Sequence, residues 1–190
     1  MFEHAGVPQY ASFFTRIREL LSPAGLAVLH SIGRMHGPST TSHWMRKYIF
    51  PGGYIPALSQ VIPHVEKSGL WITDLEILRL HYANTLALWR KRFLEKREII
   101  RTLYDERFCR MWEFYLVASE MSFRYGGFMV FQMQLAAEIS SVPLTRDYLF
   151  PAERDVRPFY GFSPTDCLLP NLVNRERSGI GAKEYQPWTP

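Results

Sequence analysis

The sequence predicts an α/β fold, organised like the second half of an open sheet. Three short apolar runs have the length of strands, and amphipathic helical patterns lie between them. The order is helix, strand, helix, strand, a helical pair and a last strand, which is typical of this fold class. Because a sheet has on average about five or six strands, three strands indicate a sheet that is incomplete by itself.

The composition is that of a globular protein. Of 190 residues, 47% are hydrophobic and 21% are charged, so a packed core is expected. The net charge of +4 is a weak indication of anionic partners such as phospholipid head groups, and we expect no nucleic-acid partner. Cys109 and Cys167 have no paired spacing, so they predict neither a disulfide framework nor a metal site.

The first α/β unit consists of a helix at residues 10–21 and a strand at residues 25–33. In the helix, apolar residues recur at steps of three and four: Phe13, Phe14, Ile17, Leu20 and Leu21. The strand GLAVLHSIG is a short apolar run of the kind that is covered on both faces. No stretch approaches the roughly 20 apolar residues of a membrane span.

A second unit follows after a loop at residues 34–42. HWMRKYIF predicts a short helix, and residues 57–68 predict another, although Pro63 is unfavourable within a helix. The alternation in GLWITDLEILRL predicts a strand that ends at Leu80.

The last part of the predicted domain is a long helical pair at residues 84–104 and 105–124, followed by the strand GGFMVFQMQLA. The proline-containing tail from Val142 has no periodicity, and we expect it to be largely irregular. The glycine pairs 52–53 and 126–127 predict turns, because neither is placed like the phosphate-binding loop of a nucleotide fold.

Polar side chains are predicted to meet at one edge of the sheet. His30 and Tyr82 follow or end predicted strands, and Glu3 and His4 stand where a strand would end if the chain began earlier. A carboxylate and an imidazole at adjacent strand ends could hold a small ion or transfer a proton. For each residue taken alone, a surface glutamate, a hydrogen-bonded histidine or a core tyrosine is the more ordinary interpretation.

Two further stretches leave alternatives open. The basic and aromatic residues 89–97 could lie against an anionic membrane, or they could form a solvated helix face. A set of aromatic residues at helical spacing could form core, or could line an acyl-chain channel: Trp112, Phe114, Tyr115 and Phe123.

Six segments resemble, in order and spacing, the cyclopropane-fatty-acyl-phospholipid synthase family, which includes the mycolic acid cyclopropane synthases. These segments are MFEHAG, LLSPAGLAVLHSIG, KYIFPGGYIP, LRLHYANTLALW, YDERFCRMWEFYL and FRYGGFMVFQMQLA. The resemblance covers residues 1–148, and KYIFPGG and HYANTLALW are its most specific elements. Residues 1–148 are therefore predicted to be the C-terminal part of a catalytic domain, and residues 149–190 a tail of unknown role.

The resemblance implies a class I methyltransferase fold in which S-adenosylmethionine gives a methyl carbon to a cis double bond of an acyl chain. It also implies a bound bicarbonate that accepts the proton lost on ring closure, with Glu3, His30 and Tyr82 as catalytic residues. The same residues and the backbone of Ile32 would hold the bicarbonate. His30, Tyr82 and Ile32 would donate hydrogen bonds, and Glu3 would accept one. No metal is implied.

The resemblance further implies unsaturated phospholipid acyl chains as substrate, a cytoplasmic location peripheral to the inner face of the membrane, and a possible homodimer. Residues 84–124 would form a helical lid or acyl-binding insertion. The family's glycine-rich cofactor loop and active-site cysteine lie upstream of Met1, so we expect this chain alone to have little activity. The alternatives are a related enzyme with a methyl-branched or hydroxylated product, and a non-catalytic fragment that binds lipid or a partner.

Overall fold

The computed structural model describes residues 2–150, and these are divided into two units between Pro143 and Leu144. The strands are β1 (Leu26–Arg34), β2 (Trp71–Ile77) and β3 (Phe128–Ala136). The helices are α1 (Phe2–Ala5), α2 (Tyr10–Leu20), α3 (His43–Tyr48), α4 (Leu58–Lys67), α5 (His81–Glu95), α6 (Arg97–Leu103) and α7 (Glu106–Tyr125). Short 3-10 turns lie at Val7–Gln9 and Ile139–Ser141, and the second unit contains one at Arg146–Leu149.

The three strands form one sheet in the order β1-β3-β2, and β3 is antiparallel to both neighbours. In the middle of the sheet, His30 pairs with Gln132, which in turn pairs with Glu76. Because β1 and β2 both run opposite to β3, they run in the same direction and their carboxyl ends lie at the same edge.

One face of the sheet packs against α2 and α4. The residues that close this core are fully buried: Phe14, Val61, Val65, Phe131, Met133 and Leu135. Burial of each large apolar side chain stabilises the fold by about 1.5–3 kcal/mol. The alternation of β3 supplies every second residue to this core.

A second core lies where α5 and α7 pack together and contact Val130 of β3. Its buried residues include Ala83, Leu86, Cys109, Leu116 and Phe123. The helix α7 begins at a clear N-cap, because the carboxylate of Asp105 accepts a hydrogen bond of 2.6 Å from the N–H of Phe108. The two cores use opposite faces of β3, which explains why each of its nine residues is buried or half-buried.

The predicted elements are confirmed with differences at their ends. The predicted strand to Leu80 ends at Ile77, and the helix α5 already begins at His81, so Tyr82 lies on a helix and not at a strand end. The helix predicted at residues 84–104 is two helices, which are separated at Lys96. Glu3 also lies on a helix, α1, and not at the end of a strand.

The expectation that β1 is covered on both faces is wrong for the described residues. Val28 is 65% exposed, and the side chain of His30 on the same face is exposed too. His30 lies in the middle of β1 and not at its end. The short helix at residues 43–48, the helix around Pro63 and the glycine turns are confirmed.

The predicted irregular tail is described only as far as Phe150, and its remainder lies outside the described residues. Within residues 2–150, no helix has the length and hydrophobicity needed to cross a membrane.

Candidate functional site

Glu3 is fixed against the second half of β1. Its Oε1 atom accepts a hydrogen bond of 2.8 Å from the backbone N–H of Ile32 and one of 3.0 Å from the hydroxyl of Ser31. Its backbone carbonyl accepts a third, of 2.8 Å, from the N–H of Tyr54. The short helix α1, the strand β1 and the loop before α4 therefore all position this carboxylate.

Glu3 is held in its charged form. Partial burial alone would raise the pKa of its carboxyl, but the hydrogen bonds that it accepts, including those from Ile32 and Ser31, outweigh burial and lower the pKa. The site thus contains a fixed negative charge at neutral pH.

Tyr82 lies in the first turn of α5 and is half-buried. Its ring contacts the rings of Phe123 and Trp89 edge-on, with centroids 5.1 and 5.9 Å away. Burial and then the negative charge of Glu3 raise the pKa of the Tyr82 phenol, so it stays protonated. Within the described residues its hydroxyl has no hydrogen-bond partner, and it can therefore donate to a ligand.

The side chain of Ile32 packs against the same apolar cluster as Tyr82, while its backbone N–H binds Glu3. The structure thus brings three of the four predicted site residues together: Glu3, Ile32 and Tyr82. Ile32 is the link between the other two residues, because its N–H binds Glu3 and its side chain belongs to the apolar cluster of Tyr82.

His30 is placed differently. It lies two residues before Ile32 on β1, and its Nδ1 atom is 3.1 Å from Nε2 of Gln132. Its ring is exposed, and no contact joins it to Glu3 or Tyr82 among the described residues. The prediction that it acts with them stays a prediction.

The sequence did not single out Tyr54 or Phe50 as site residues. Tyr54 holds Glu3 through its backbone, and its hydroxyl donates to Oε1 of Gln60 at 2.9 Å. The ring of Phe50 lies edge-on to His4 and to Tyr115, with centroids 6.1 and 5.9 Å away. Both residues belong to KYIFPGGYIP, so the segment that carried the resemblance was the available signal.

Tyr115 of α7 adds another aromatic ring to the site, next to the ring of Phe50. Burial and then the nearby phenol of Tyr82 raise the pKa of its hydroxyl, and Trp112 packs against its ring at 5.0 Å. The arrangement therefore combines one fixed carboxylate, neutral phenols and apolar rings. Such a surface can bind an apolar chain and stabilise positive charge that develops beside the carboxylate.

The expected bicarbonate fits this site in part. The hydroxyl of Tyr82 can donate to an anion, and Glu3 can accept from a bicarbonate hydroxyl. The backbone N–H of Ile32 already donates to Glu3, so its predicted bond to an anion is not available in this arrangement.

Comparisons with known proteins agree on one family. The family model described as mycolic acid cyclopropane synthetase matches residues 1–133. The tuberculostearic acid methyltransferase UfaA1 of Mycobacterium tuberculosis is 40% identical over 144 residues, which are 73% of this chain and 34% of UfaA1. The cyclopropane-fatty-acyl-phospholipid synthase of Escherichia coli is 34% identical over 133 residues, which are 70% of this chain and 35% of that protein.

Solved structures give the same result. The cyclopropane synthase MmaA2 from Mycobacterium tuberculosis superposes with a TM-score of 0.65 at 29% identity, over 71% of this chain and 52% of that chain. The mycolic acid cyclopropane synthase CmaA1, in complex with SAH and CTAB, also superposes with a TM-score of 0.65 at 27% identity. The match covers 70% of this chain and 52% of that chain. The chain thus spans about a third of the curated relatives and about half of these solved structures.

Proposed function

Because this chain belongs to the mycolic acid cyclopropane synthetase family and shares its fold with about half of the solved synthase MmaA2, we propose that it is the C-terminal part of a lipid-modifying methyltransferase. The proposed reaction transfers a methylene group to the cis double bond of an unsaturated phospholipid acyl chain. The observation that carries this proposal is the carboxylate of Glu3, which Ile32 and Ser31 hold next to the apolar cluster that contains Tyr82.

S-adenosylmethionine, when bound, supplies the methyl carbon that adds to the double bond and leaves a carbocation. The charge of Glu3 would stabilise this positive charge more strongly than water does, because the hydrogen bonds from Ile32 and Ser31 hold the carboxylate in place. The neighbouring rings would exclude water, which could otherwise trap the cation as an alcohol.

A bicarbonate ion, when bound, supplies a base for the proton that the product must lose. We propose that Tyr82 donates a hydrogen bond to this ion, that Glu3 accepts one from its hydroxyl, and that His30 contributes if its ring turns away from Gln132. Ile32 has a different proposed role, because its N–H orients Glu3.

The helices α5 and α7 would provide the surface for the acyl chain. Their contact includes the buried rings of Tyr115 and Phe123 and the half-buried ring of Trp112. This supports the acyl-binding role of residues 84–124, with Phe114 as an exception because it is 55% exposed.

A chimera tests the proposal. The homologous segment of the Escherichia coli synthase is replaced by residues 1–133 of this chain, and the chimera is expressed in cells that lack their own synthase. Mass spectrometry of the membrane lipids should show acyl chains heavier by one methylene group. Glu3→Gln and Tyr82→Phe should each lower this product at least about 100-fold.

Two matched controls remove the same groups elsewhere. Glu66→Gln changes an exposed carboxyl on α4, and Tyr125→Phe removes a phenol that is 82% exposed. Both should leave the product unchanged. An active chimera in which Glu3→Gln and Tyr82→Phe behave like these controls would show that the proposed site does not act in the reaction.

A second candidate is a methyl-branched product, which is favoured by the 40% identity to a tuberculostearic acid methyltransferase. In that case the same chimera would form acyl chains without a ring. These chains would be heavier than the substrate by one methylene group, or by one methylene group and two hydrogen atoms. Chromatography against cyclopropane and methyl-branched standards separates the two products.

A further inference from the structure

A cleft of about 320 Å³ lies between the short helix α3 and the first half of α7. Two arginines, three aromatic residues and a methionine line it: Trp44, Tyr48, Arg107, Arg110, Met111 and Phe114. Trp44 also packs against the apolar cluster that contains Tyr82, whereas the other five residues take no part in the site around Glu3.

The aromatic side of the cleft is exposed to water. Phe114 is 55% exposed and Tyr48 is 41% exposed, and the edge of Trp44 contacts Phe114 with centroids 4.8 Å apart. Exposure of two such rings side by side is unfavourable in water, but aromatic rings are enriched at the boundary between lipid and water.

On the basic side of the cleft, the positive charges are only partly neutralised by carboxylates. Arg107 is exposed, and the structure gives it no ion-pair partner within the described residues. Arg110 lies 3.7 Å from Glu106, but that carboxylate is also bound at 2.6 and 3.1 Å by Arg97. On α3, the ammonium of Lys47 lies over the ring of Tyr48 and adds further positive charge.

We propose that this cleft binds the phosphate of an anionic phospholipid at the membrane surface. The guanidinium groups of Arg107 and Arg110 would contact the phosphate oxygens, and Tyr48 and Phe114 would enter the interface beside them. The inference rests on the proposed function and adds to it a head-group preference and the face of the protein that meets the membrane.

The same two helices connect the cleft to the candidate active site. Met45 and Ile49 of α3 and Tyr115 of α7 belong to the apolar cluster that also contains Tyr82. A lipid held by its head group at the outer side of these helices would therefore be close to the apolar wall on their inner side.

The basic stretch 89–97 is the competing surface, and the structure makes it the weaker one. Arg90 lies 3.6 Å from the buried Glu120, and Arg97 is bound to Glu106. Lys91 and Arg92 remain exposed on α5, so they provide a matched control with the same loss of charge.

Sedimentation of the full 190-residue chain with vesicles tests the inference without any turnover. Vesicles of phosphatidylcholine with phosphatidylglycerol should bind the chain more tightly than vesicles of phosphatidylcholine alone. The double variant Arg107→Gln/Arg110→Gln should weaken binding to the anionic vesicles about tenfold, since each basic group near such a surface contributes and the charge of Arg110 is partly offset by Glu106. Phe114→Ser should also weaken it, and Lys91→Gln/Arg92→Gln should change it by less than about twofold.

Equal loss in the two double variants would overturn the inference, since it would show that total charge alone decides binding. Unchanged binding in Arg107→Gln/Arg110→Gln would overturn it too, as would binding of inorganic phosphate by a chain that ignores vesicles. Circular dichroism of each variant checks that the fold is intact. Glu3→Gln should bind vesicles normally, so failure of the proposed chemistry and failure of this surface are distinguishable.

Discussion

At the scale of single residues, the charged carboxylate of Glu3 contributes to the stability of the fold. Its carboxylate joins α1 to β1 through Ile32 and Ser31, and its pKa in the folded chain lies below the ordinary value of 4.5. A group with a lowered folded pKa contributes stability that is present above the unfolded pKa and is lost as the pH falls through the folded pKa.

We therefore expect the free energy of unfolding to decrease as the pH falls from about 5 to about 3. In Glu3→Gln this decrease should be smaller by up to about 1 kcal/mol, a figure that allows for solvent screening of the half-buried carboxylate. Urea unfolding at pH 7 and pH 3.5 measures it. Glu66→Gln, on the exposed side of α4, is the control and should keep the dependence. Identical pH profiles for Glu3→Gln and the unchanged chain would contradict the assignment.

Tyr10 presents a different residue-scale case, because it is fully buried and its hydroxyl has no hydrogen-bond partner among the described residues. Burial, with the nearby Tyr54 and Glu3, raises the pKa of Tyr10 to about 12. A buried hydroxyl without a partner lowers stability by about 1–3 kcal/mol.

Tyr10→Phe should thus raise the free energy of unfolding by about 1 kcal/mol in urea titrations at pH 7. Tyr54→Phe is the matched comparison, since it removes a hydroxyl that is bonded to Gln60, and it should lower stability by about 1 kcal/mol. Destabilisation by Tyr10→Phe would mean that this hydroxyl has a partner.

At the scale of the elements, the contact between α5 and α7 contains a buried charge. Glu120 is 5% exposed and accepts a hydrogen bond of 2.8 Å from Arg124, which also donates to Asn84 on α5 at 3.2 Å. Arg90 of α5 lies 3.6 Å from the same carboxylate. This network joins the two helices that carry Tyr82 and Phe123.

Loss of one partner from a buried ion pair leaves the other charge uncompensated. We expect Glu120→Gln to lower the free energy of unfolding by about 2–3 kcal/mol, somewhat less than for a fully buried pair because Arg90 is partly exposed. Glu98→Gln breaks the exposed pair with Arg101 and should lower stability much less, because solvent screens this pair. Equal effects in thermal or urea unfolding would show that burial of Glu120 contributes nothing.

At the scale of the whole molecule, periodicity in the sequence was enough to predict the α/β class, the helical pair and all three strands. It could not predict the direction of β3, because a period of two looks the same in a parallel and an antiparallel strand. The two cores on opposite faces of β3 also depend on contacts between distant segments, since Val61 of α4 packs in the core of Phe131 and Leu116 of α7 packs in the core of Val130.

The candidate site was predictable only in part. The resemblance implies that Glu3, His30, Ile32 and Tyr82 act together, and the structure joins Glu3 to Ile32 and places Ile32 in the apolar cluster of Tyr82. The prediction from strand ends was wrong, because Glu3 and Tyr82 lie on helices and His30 lies in the middle of β1. The bond from the Ile32 N–H to Glu3 joins residues 29 apart in sequence, and no local pattern encodes it.

The most direct test of the central claim is the origin of the added carbon in the chimera that carries residues 1–133. Cells are grown with methionine whose methyl group is fully deuterated, and the membrane fatty acids are analysed by mass spectrometry. The account predicts cyclopropane acyl chains that retain two of the three deuterium atoms, because ring closure removes one from the transferred carbon. Acyl chains without label, from a chimera that is folded and present at normal levels, would contradict it.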